Sequence, residues 1–577
     1  LKLLNSAYLV RLLGAMRICF LLGTLGGGVW AQQAAKDEDG PRMVVQNCDA
    51  DGHCKDEMGS MTIDASYRTQ REAGIKGWHA CIQAGGMWDQ NLCPDPAECA
   101  KNCALEGLTL DKYWNLHKTE ELDSGMRMGY VSATQYGINT GSRMYMLDEK
   151  ENYKKYKMFF LKNREFSLDV DVSTLPCGVN AAAYFVEMQK DGGKSMKPGE
   201  FKSANTRHHT HLDRRLKDQG FNSAGAKYGT GYCDAFCQHS ENFIGGYANM
   251  DWAYGSCCTE VDIFEGNGKA TAMTAHSCQH PGFFECKDHL ECGDDTKGLH
   301  YKGVCDKDGC DFNPHRMGLH EFYGKGKTID TSRPFTAVTQ FITTDGTDDG
   351  DLKEIRRVYI QDGKEIANPA SKEPGVEGAA LSDGYCKAIK SKFKDTRGRK
   401  QKEGSFDQFG KHGGMKKVGE SLDRGMVLVL SLWDDPGDNM RWLDSISPKH
   451  NQKAPGAVRG PCDRDQGEAM HERRMHQRAF VTYGNLSYGA IGSTVKNRVK
   501  APPPATAKFE LGHQKQLERQ LKGKRSALWI CSGSMLLVAG LLVAGFARVR
   551  QSRRMAVSSA ETGEHYSPAA TYLETAE

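Results

Sequence analysis

The 20 cysteines in this 577-residue chain are the feature that most constrains how it folds. A cytosolic protein rarely carries so many thiols, and their spacing does not match zinc-finger patterns. An even number in such a chain indicates disulfides formed in an oxidising compartment. Cys19 and Cys531 lie in apolar stretches near the two ends of the chain. Removing these two from the 20 leaves 18 cysteines, which is enough for nine bridges.

Composition excludes several classes of partner. The chain has 76 Lys+Arg against 73 Asp+Glu, a formal net charge of only +3. A dedicated nucleic-acid binder and an acidic solvating chain both need a strong charge imbalance, so neither is expected. The length suffices for a large core and is too long for one ordinary domain.

Residues 1–31 have the pattern of a leader containing a signal peptide. Met16-Arg17 precede a short apolar run, and the small residues Val29 and Ala31 mark a cleavage point after Ala31. The alternative is a buried hydrophobic helix. We therefore predict entry into the secretory pathway.

Residues 527–547 contain no charged side chain and are followed by arginines. At 1.5 Å per residue this stretch forms a helix of about 31 Å, enough to span a bilayer. With the signal peptide upstream, the pattern predicts a single-pass type I membrane protein, cell-surface or extracellular, with a cytosolic tail over 548–577. A glycolipid-anchor signal is the alternative, but such a signal ends apolar and this chain continues to Glu577.

The region between the two ends is predicted to be mainly β. Residues 32–42 are polar and expected to be loose, and 495–526 is expected to be a stalk because Pro502, Pro503 and Pro504 precede a basic run. From 43 to 494, short β-rich runs bounded by Gly, Asn, Asp and Pro predict an antiparallel sandwich or barrel with long loops. The basic stretch 190–220 is an apparent addition. Its His208, His209 and His211 could bind a metal, but without a second ligand cluster we favour a solvated loop.

The residues that could carry chemistry are concentrated in residues 257–267. On a strand, Glu260 and Asp262 share one face while Val261 and Ile263 enter the core. Glu265 has the wrong parity and needs a bulge or a strand end, which the adjacent Gly266 permits. Two carboxyls on one face can serve a retaining glycosidase as nucleophile and acid/base. From the residues alone, a calcium site or a surface acidic strand stays open as the alternative.

This stretch closely resembles the catalytic signature of the family 7 glycoside hydrolases, the cellobiohydrolases and endoglucanases that cleave cellulose with retention. The family pattern is Glu-x-Asp-x-x-Glu behind a Cys-Cys pair, as in this chain. The resemblance covers roughly residues 43–494 and implies an all-β, concanavalin-like β-jelly-roll sandwich whose long loops form a substrate cleft or partial tunnel. It also implies the catalytic roles of four residues: Glu260 as nucleophile, Asp262 assisting it, Glu265 as acid/base, and His276 as the active-site histidine.

The resemblance further implies a substrate-binding set. Its members line the cleft or the product side, and they are Trp433, Trp442, Tyr184, Tyr232, Asp234, Asn180, Arg143, Arg459 and Asp308. It also implies a disulfide pattern that uses all 18 remaining cysteines: Cys48–Cys54, Cys81–Cys103, Cys93–Cys99, Cys177–Cys462, Cys233–Cys258, Cys237–Cys257, Cys278–Cys305, Cys286–Cys292 and Cys310–Cys386.

Departures from the family pattern bear on the mode of action. Thr69 stands where processive members carry a tunnel-entrance tryptophan, and Phe236 replaces a polar cleft residue. His300 and Ser447 replace a product-side arginine and a loop tyrosine, and the loop over 248–256 is short. The loop closed by Cys278 and Cys305, which open endoglucanases lack, is present.

The resemblance therefore predicts hydrolysis of β-1,4-glucosidic bonds in cellulose, exo-acting from the reducing end and releasing cellobiose. The alternatives are an endoglucanase with an open cleft and a non-catalytic cellulose-binding wall protein. The expected partner is cellulose or another β-1,4-glucan, and the expected state is a monomer. We expect no cofactor and no metal, because carboxylates supply both nucleophile and proton. The sequon at Asn485 lies in a predicted strand.

Overall fold

The computed structural model describes residues 32–500 except 35–37, 75–78, 84–85, 135–136, 196–221, 251, 253, 394–406 and 450. The predicted leader, the three neighbouring histidines, most of the stalk, the predicted span 527–547 and the tail lie outside these residues. Within the described part of the chain, no helix is both long and apolar enough to cross a membrane.

The described residues form 28 β-strands and nine α-helices, numbered in chain order. The strands are β1 Gln33–Ala34, β2 Arg42–Cys48, β3 Cys54–Ile63, β4 Gln70–Glu72, β5 Cys103–Leu105, β6 Thr119–Leu122, β7 Gly125–Gly129, β8 Val131–Thr134, β9 Gly137–Thr140, β10 Ser142–Asp148, β11 Met158–Phe159, β12 Arg164–Asp171, β13 Val179–Val186, β14 Phe243–Ile244, β15 Tyr247–Ala248, β16 Gly255–Cys257, β17 Glu260–Gly266, β18 Thr271–His276, β19 Phe284–Cys286, β20 Cys310–Phe312, β21 Tyr323–Gly324, β22 Ile329–Asp330, β23 Phe335–Thr343, β24 Leu352–Gln361, β25 Lys364–Ala367, β26 Leu381–Ser382, β27 Met426–Asp434 and β28 Phe480–Ala490. The helices are α1 Pro96–Asn102, α2 Leu110–His117, α3 His289–Cys292, α4 Asp383–Lys392, α5 Gln408–Lys411, α6 Gly414–Arg424, α7 Arg441–Asp444, α8 Ala469–Met475 and α9 Ser493–Lys500.

Two antiparallel layers make up the domain. The first, here called the cleft sheet, has the order β3–β10–β27–β13–β17–β18–β20. The second, the back sheet, has the order β6–β7–β28–β12–β23–β24 with β25 and β26 at its edge. Strand β2 pairs with both β3 and β28, so it joins the two layers. The predicted β-sandwich is confirmed.

The core lies between the two sheets. Phe185 of β13 packs edge-on against Phe166 of β12, with ring centroids 5.1 Å apart. Phe264 of β17 meets Phe335 of β23 at 5.9 Å. Rings of this size bury much apolar area, and each such side chain contributes about 1.5–3 kcal/mol on burial. The opposite face of the cleft sheet is therefore free to carry polar groups.

The described part of segment 32–42 is not loose, contrary to the prediction. The Glu38 carboxylate is buried and forms an ion pair with Arg68 at 2.6 Å. It also accepts a hydrogen bond from the Leu108 amide at 2.7 Å. Strand β1 also pairs with β5. Polar composition suggested a solvated segment, but a buried arginine supplies this carboxylate with a partner.

The sequon lies in β28, as expected from its sequence. The Asn485 side-chain amide donates to the Asp169 carboxylate at 2.6 Å, and this part of the strand is largely buried. The amide nitrogen that a glycan would need is therefore engaged within the fold.

Nine disulfides join the same cysteines as the nine implied pairs. The widest in sequence, Cys177–Cys462, closes a separation of 285 residues next to the start of β13. Cys233–Cys258 and Cys237–Cys257 fasten the segment after Tyr232 to the residues that lead into β17. These two bridges fix a loop directly beside the strand that carries the three acids.

Candidate active site

Strand β17 places its three acids on one face by means of a β-bulge. Tyr184 of β13 pairs with Asp262, but the preceding Ala183 pairs with Phe264, so Ile263 is the extra residue. The ladder with β18 skips a residue over the same interval. An extra residue reverses the alternation of faces, which lets Ile263 and Phe264 both enter the core.

The predicted need for a bulge is therefore met, but at Ile263–Phe264 rather than at Gly266. Gly266 lies in the regular ladder opposite Ala181 and Thr271. A Cβ there would lie 2.8 Å from the Ala270 carbonyl oxygen, so its role is close packing rather than backbone freedom.

Rows of side chains run across the cleft sheet on the acid-bearing face. Directly paired residues on neighbouring strands project to the same face. One row joins Val186, Glu260 and His276, and the next joins Tyr184, Asp262 and Thr274. Glu265 lies opposite Ala182 and Ala272, whose small side chains leave space beside its carboxyl.

Glu260 and Asp262 belong to one hydrogen-bonded string that ends on His276. The Ala235 amide donates to Glu260 Oε2 at 2.9 Å, and the carboxyl groups of Glu260 and Asp262 are hydrogen-bonded to each other. His276 Nε2 lies 3.1 Å from Asp262 Oδ2. Its Nδ1 lies 2.6 Å from the carbonyl oxygen of Asp306, which can only accept, so Nδ1 carries a proton. The Nδ1 proton is therefore engaged with Asp306, and Nε2 faces the Asp262 carboxyl.

Glu265 has a separate environment. Asn180 Nδ2 donates to Glu265 Oε1 at 2.9 Å, while Asn180 Oδ1 accepts from the Gly266 amide at 3.0 Å. The second bond fixes which end of the amide faces the carboxyl. Thr271 Oγ1 also donates to the Glu265 carbonyl at 2.8 Å. The carboxyl is thus held from both neighbouring strands.

Burial is the largest influence on the pKa of each of the three acids. It raises the pKa of Glu260 well above 4.5, helped by the Asp262 and Asp234 carboxyls. It also raises the pKa of Asp262, helped by Glu265. Burial raises the pKa of Glu265 to about 7, against the opposing effect of the Asn180 hydrogen bond. The Ala235 amide opposes the rise at Glu260 by favouring the carboxylate form of that residue.

Arg143, Tyr184, Tyr232 and Asp234 form a connected polar wall. The Arg143 guanidinium lies over the Tyr232 ring at 3.4 Å from its centroid. The Tyr232 hydroxyl donates to Asp234 at 2.9 Å and lies 3.0 Å from the Tyr184 hydroxyl. Four of the predicted substrate-binding residues are therefore in mutual contact, next to the carboxylates.

The two tryptophans and the product-side residues lie on other elements. Trp433 pairs with Asn180 across β13 and β27 and is half-buried against Trp442, with ring centroids 6.4 Å apart. Asp308 accepts from His300 Nε2 at 2.7 Å, and it follows the Asp306 carbonyl that holds His276. Arg459 lies 3.7 Å from Asp311, a carboxylate that Arg316 also binds.

Several residues of the site were missed by sequence reasoning. Asp64 and Glu241 both bind the Arg143 guanidinium, and Glu241 also accepts from Ser66 Oγ at 2.8 Å. Asp64 directly follows β3, which is a weak signal, but Glu241 lies in a loop 98 residues from Arg143. The Asp306 carbonyl is a backbone group and has no sequence signature.

Comparison with known proteins identifies the family of the chain. The sequence profile described as "Glycosyl hydrolase family 7" matches residues 32–495. A cellobiohydrolase from Daphnia pulex is 38% identical, with TM-score 0.71, over 80% of this chain and 99% of that one. A Melanocarpus albomyces cellobiohydrolase solved with cellotetraose is 34% identical, with TM-score 0.69, over 80% and 99%. The endocellulase EGI of Humicola insolens is 31% identical, with TM-score 0.63, over 80% and 100%.

A β-sandwich with crowded carboxyls on one face of one sheet, two of them in distinct environments, together with the match to the family profile, identifies a glycoside hydrolase. The chain belongs to glycosyl hydrolase family 7.

The raised pKa values predict that stability falls as pH rises. Folding raises the pKa of Glu265 from 4.5 to about 7, and burial does the same for Glu241. The folded state therefore binds these protons more tightly than the unfolded chain. The resulting stabilisation is complete below pH 4.5 and is lost as pH rises through about 7. Their contribution to Tm, measured by calorimetry as the difference between the wild type and an amide variant, should therefore be smaller at pH 8 than at pH 5.

The control for this prediction is a pair of amide variants. Glu265→Gln should show a smaller fall in Tm between pH 5 and pH 8, because glutamine does not titrate. Glu420→Gln, on the half-exposed side of α6, should keep the wild-type slope. An unchanged slope in Glu265→Gln would contradict the assignment.

Proposed function

We propose that the protein hydrolyses β-1,4-glucosidic bonds in cellulose with retention of configuration. The observation that carries this proposal is the arrangement on β17, where Glu260, Asp262 and Glu265 share one face but have different hydrogen-bond partners. The Glu260 carboxyl accepts a hydrogen bond from the Ala235 amide, which favours its carboxylate form. Another is buried with its pKa at about 7. These are the states that a nucleophile and a general acid require.

In the first step, Glu260 attacks the anomeric carbon and forms a covalent glycosyl ester. The glycosidic bond breaks at the same time, and Glu265 gives its proton to the departing oxygen. As negative charge leaves the Glu260 carboxylate, the proton shared between Glu260 and Asp262 is free to turn toward His276, whose Nε2 lies 3.1 Å from Asp262 Oδ2. The string is thus able to adjust its hydrogen bonds without importing a charge.

In the second step, Glu265 is a carboxylate and accepts a proton from water, which attacks the anomeric carbon of the ester. Glu260 leaves as a carboxylate, and its acceptance of the Ala235 hydrogen bond stabilises that product. Glu265 regains its proton, so the cycle closes with two inversions and net retention. Apart from the glucan and one water molecule, no group outside the chain is needed to balance the two steps.

Aromatic rings and paired hydrogen-bonding groups support a glucan as substrate. Trp433 and Trp442 expose part of their rings beside Asn180, and sugar C–H faces stack on such surfaces. Arg143 and Asp234 can take hydroxyl groups. The neighbour from Melanocarpus albomyces was solved with cellotetraose, and an endoglucanase I that is 33% identical was solved with cellobiose. A β-1,4-glucan is therefore the substrate class that we propose.

Amide variants of the two glutamates test the mechanism. Glu260→Gln should lower turnover of an aryl cellobioside by several orders of magnitude while cellulose binding persists, because the nucleophile is lost. Glu265→Gln should lower kcat/KM most for aryl cellobiosides with poor leaving groups, which need the acid. Steady-state kinetics on a series of leaving groups measure both effects.

Glu420→Gln again serves as the control, since it changes the same functional group far from β17. Retained activity in Glu260→Gln would remove that residue as the nucleophile. A wild-type protein that binds cellulose but releases no product would instead favour the non-catalytic wall-protein alternative.

We further propose exo-action from the reducing end with release of cellobiose, over the alternative of an endoglucanase. The loop closed by Cys278 and Cys305 supports it, because that loop is anchored on two sides. Its strand β19 pairs with β16, and its Asp294 lies 3.0 Å from His239 Nε2. A loop fixed in this way is suited to form a wall over one end of a cleft.

Exo-action predicts mostly soluble products from crystalline cellulose. We expect a high ratio of soluble to insoluble reducing ends, because a chain held at one end is shortened by successive cleavage. Quantifying reducing ends in the supernatant and in the washed solid measures this ratio. A low ratio would favour the endoglucanase alternative.

Secretory targeting and a membrane anchor are proposed from the sequence alone, on the apolar stretch 527–547 and the leader before residue 32. Full-length protein from its own cells should fractionate with membranes and resist carbonate extraction, because an apolar helix holds it in the bilayer. A variant truncated after residue 526 is the control and should appear in the medium. Full-length protein found only in the medium would contradict the anchor.

A further inference from the structure

A buried arginine lies behind the catalytic strand, on the core side of the sandwich. Arg357 belongs to β24 of the back sheet and is 4% exposed. Its Nη2 donates a hydrogen bond to the carbonyl oxygen of Ile263, a residue 94 positions away in sequence. Ile263 is the extra residue of the bulge in β17. The contact therefore joins the back sheet to the irregular point of the catalytic strand.

The environment of Arg357 is unusual for a guanidinium. In the described part of the chain, no carboxylate lies within ion-pair distance of it, and Nε and Nη1 are buried without a hydrogen-bond partner there. The Tyr359 ring lies 5.6 Å from its guanidinium carbon. Burying a cation without a counter-ion costs free energy. An apolar side chain would fill the same space at lower cost, so packing alone does not account for arginine.

The bulge creates a hydrogen-bonding requirement that Arg357 meets. An extra residue interrupts the ladder on both sides of β17, and the carbonyl of this extra residue faces the back sheet, where Arg357 reaches it. A buried carbonyl of this kind must be satisfied by another donor. Strand β24 lies in the opposite sheet, so it can reach this carbonyl only with a side chain. The arginine side chain is long and carries several N–H groups, which allows it to donate across the core.

We propose that Arg357 is a positioning residue for the acid/base Glu265, because it holds the bulge that turns Glu265 onto the cleft face. The inference rests on the proposed function. Residues on the two sides of the bulge are fixed differently. Glu260 and Asp262 come before it and are held by Ala235 and His276. Glu265 comes after it, so a change in the bulge moves Glu265 relative to the other two acids.

The experiment measures kcat/KM of Arg357→Met for two aryl cellobiosides, one with a good leaving group and one with a poor one. This constant reports the first chemical step, in which only the poor leaving group needs the proton of Glu265. A displacement near 1 Å costs about 10²-fold. We expect a loss of about 10²-fold for the poor leaving group and of less than about tenfold for the good one.

Two further variants make the experiment specific. Arg356→Met changes the neighbouring arginine, whose side chain is half-exposed and pairs with Glu354 on the outer face. It should retain wild-type kcat/KM for both substrates. Arg357→Lys keeps a cationic donor and should recover part of the loss for the poor leaving group. It also keeps the test informative if Arg357→Met does not fold.

The outcomes separate this inference from the proposed function. A wild-type protein that hydrolyses neither substrate overturns the proposed function. An active wild type whose Arg357 variants, Met and Lys alike, lose activity equally on both substrates overturns the positioning role, because a structural defect lowers the concentration of folded enzyme without regard to leaving group. The positioning role is also overturned if Arg357→Met and Arg357→Lys both lower Tm but keep the wild-type ratio of kcat/KM for the two substrates.

Discussion

The free-energy cost of burying Glu260, Asp262 and Glu265 on one face of β17 must be offset by the contacts around them. Each contact comes from a different element. The Ala235 amide, held by two disulfides, favours the carboxylate of Glu260. Asn180 donates to Glu265 from β13, and His276 meets Asp262 from β18. The environment separates the roles of chemically similar groups, because each has a different donor beside it.

The bulge in β17 reconciles two demands on one short strand. The core between the sheets takes Val261, Ile263 and Phe264, while the cleft takes the three acids. A regular strand with alternating faces satisfies one set or the other, but not both. The additional residue at Ile263 resolves the conflict, and it leaves a carbonyl that the back sheet satisfies through Arg357. The arrangement of the three acids is in this way connected to the back sheet.

Loops rather than helices build the walls of the site, and covalent bonds hold them. The segment with Asp234 is fastened to the start of β17 by two bridges. The loop closed by Cys278 and Cys305 contacts that segment through β16 and β19. Arg143 is fixed by Asp64 and Glu241, two acids that come from separate parts of the chain. The orientation of the Arg143 guanidinium is thus determined by the fold.

The sequence by itself determined the β-rich pattern, the number of available cysteines and the spacing of the three acids, since these depend on neighbours along the chain. It also showed that Glu265 needed an irregularity, because strand alternation is a local rule. The location of that irregularity was decided only by tertiary structure, as were the roles of Glu241, the Asp306 carbonyl and Arg357. Those contacts join residues far apart in sequence, and a pattern along one strand does not reveal which distant group approaches it.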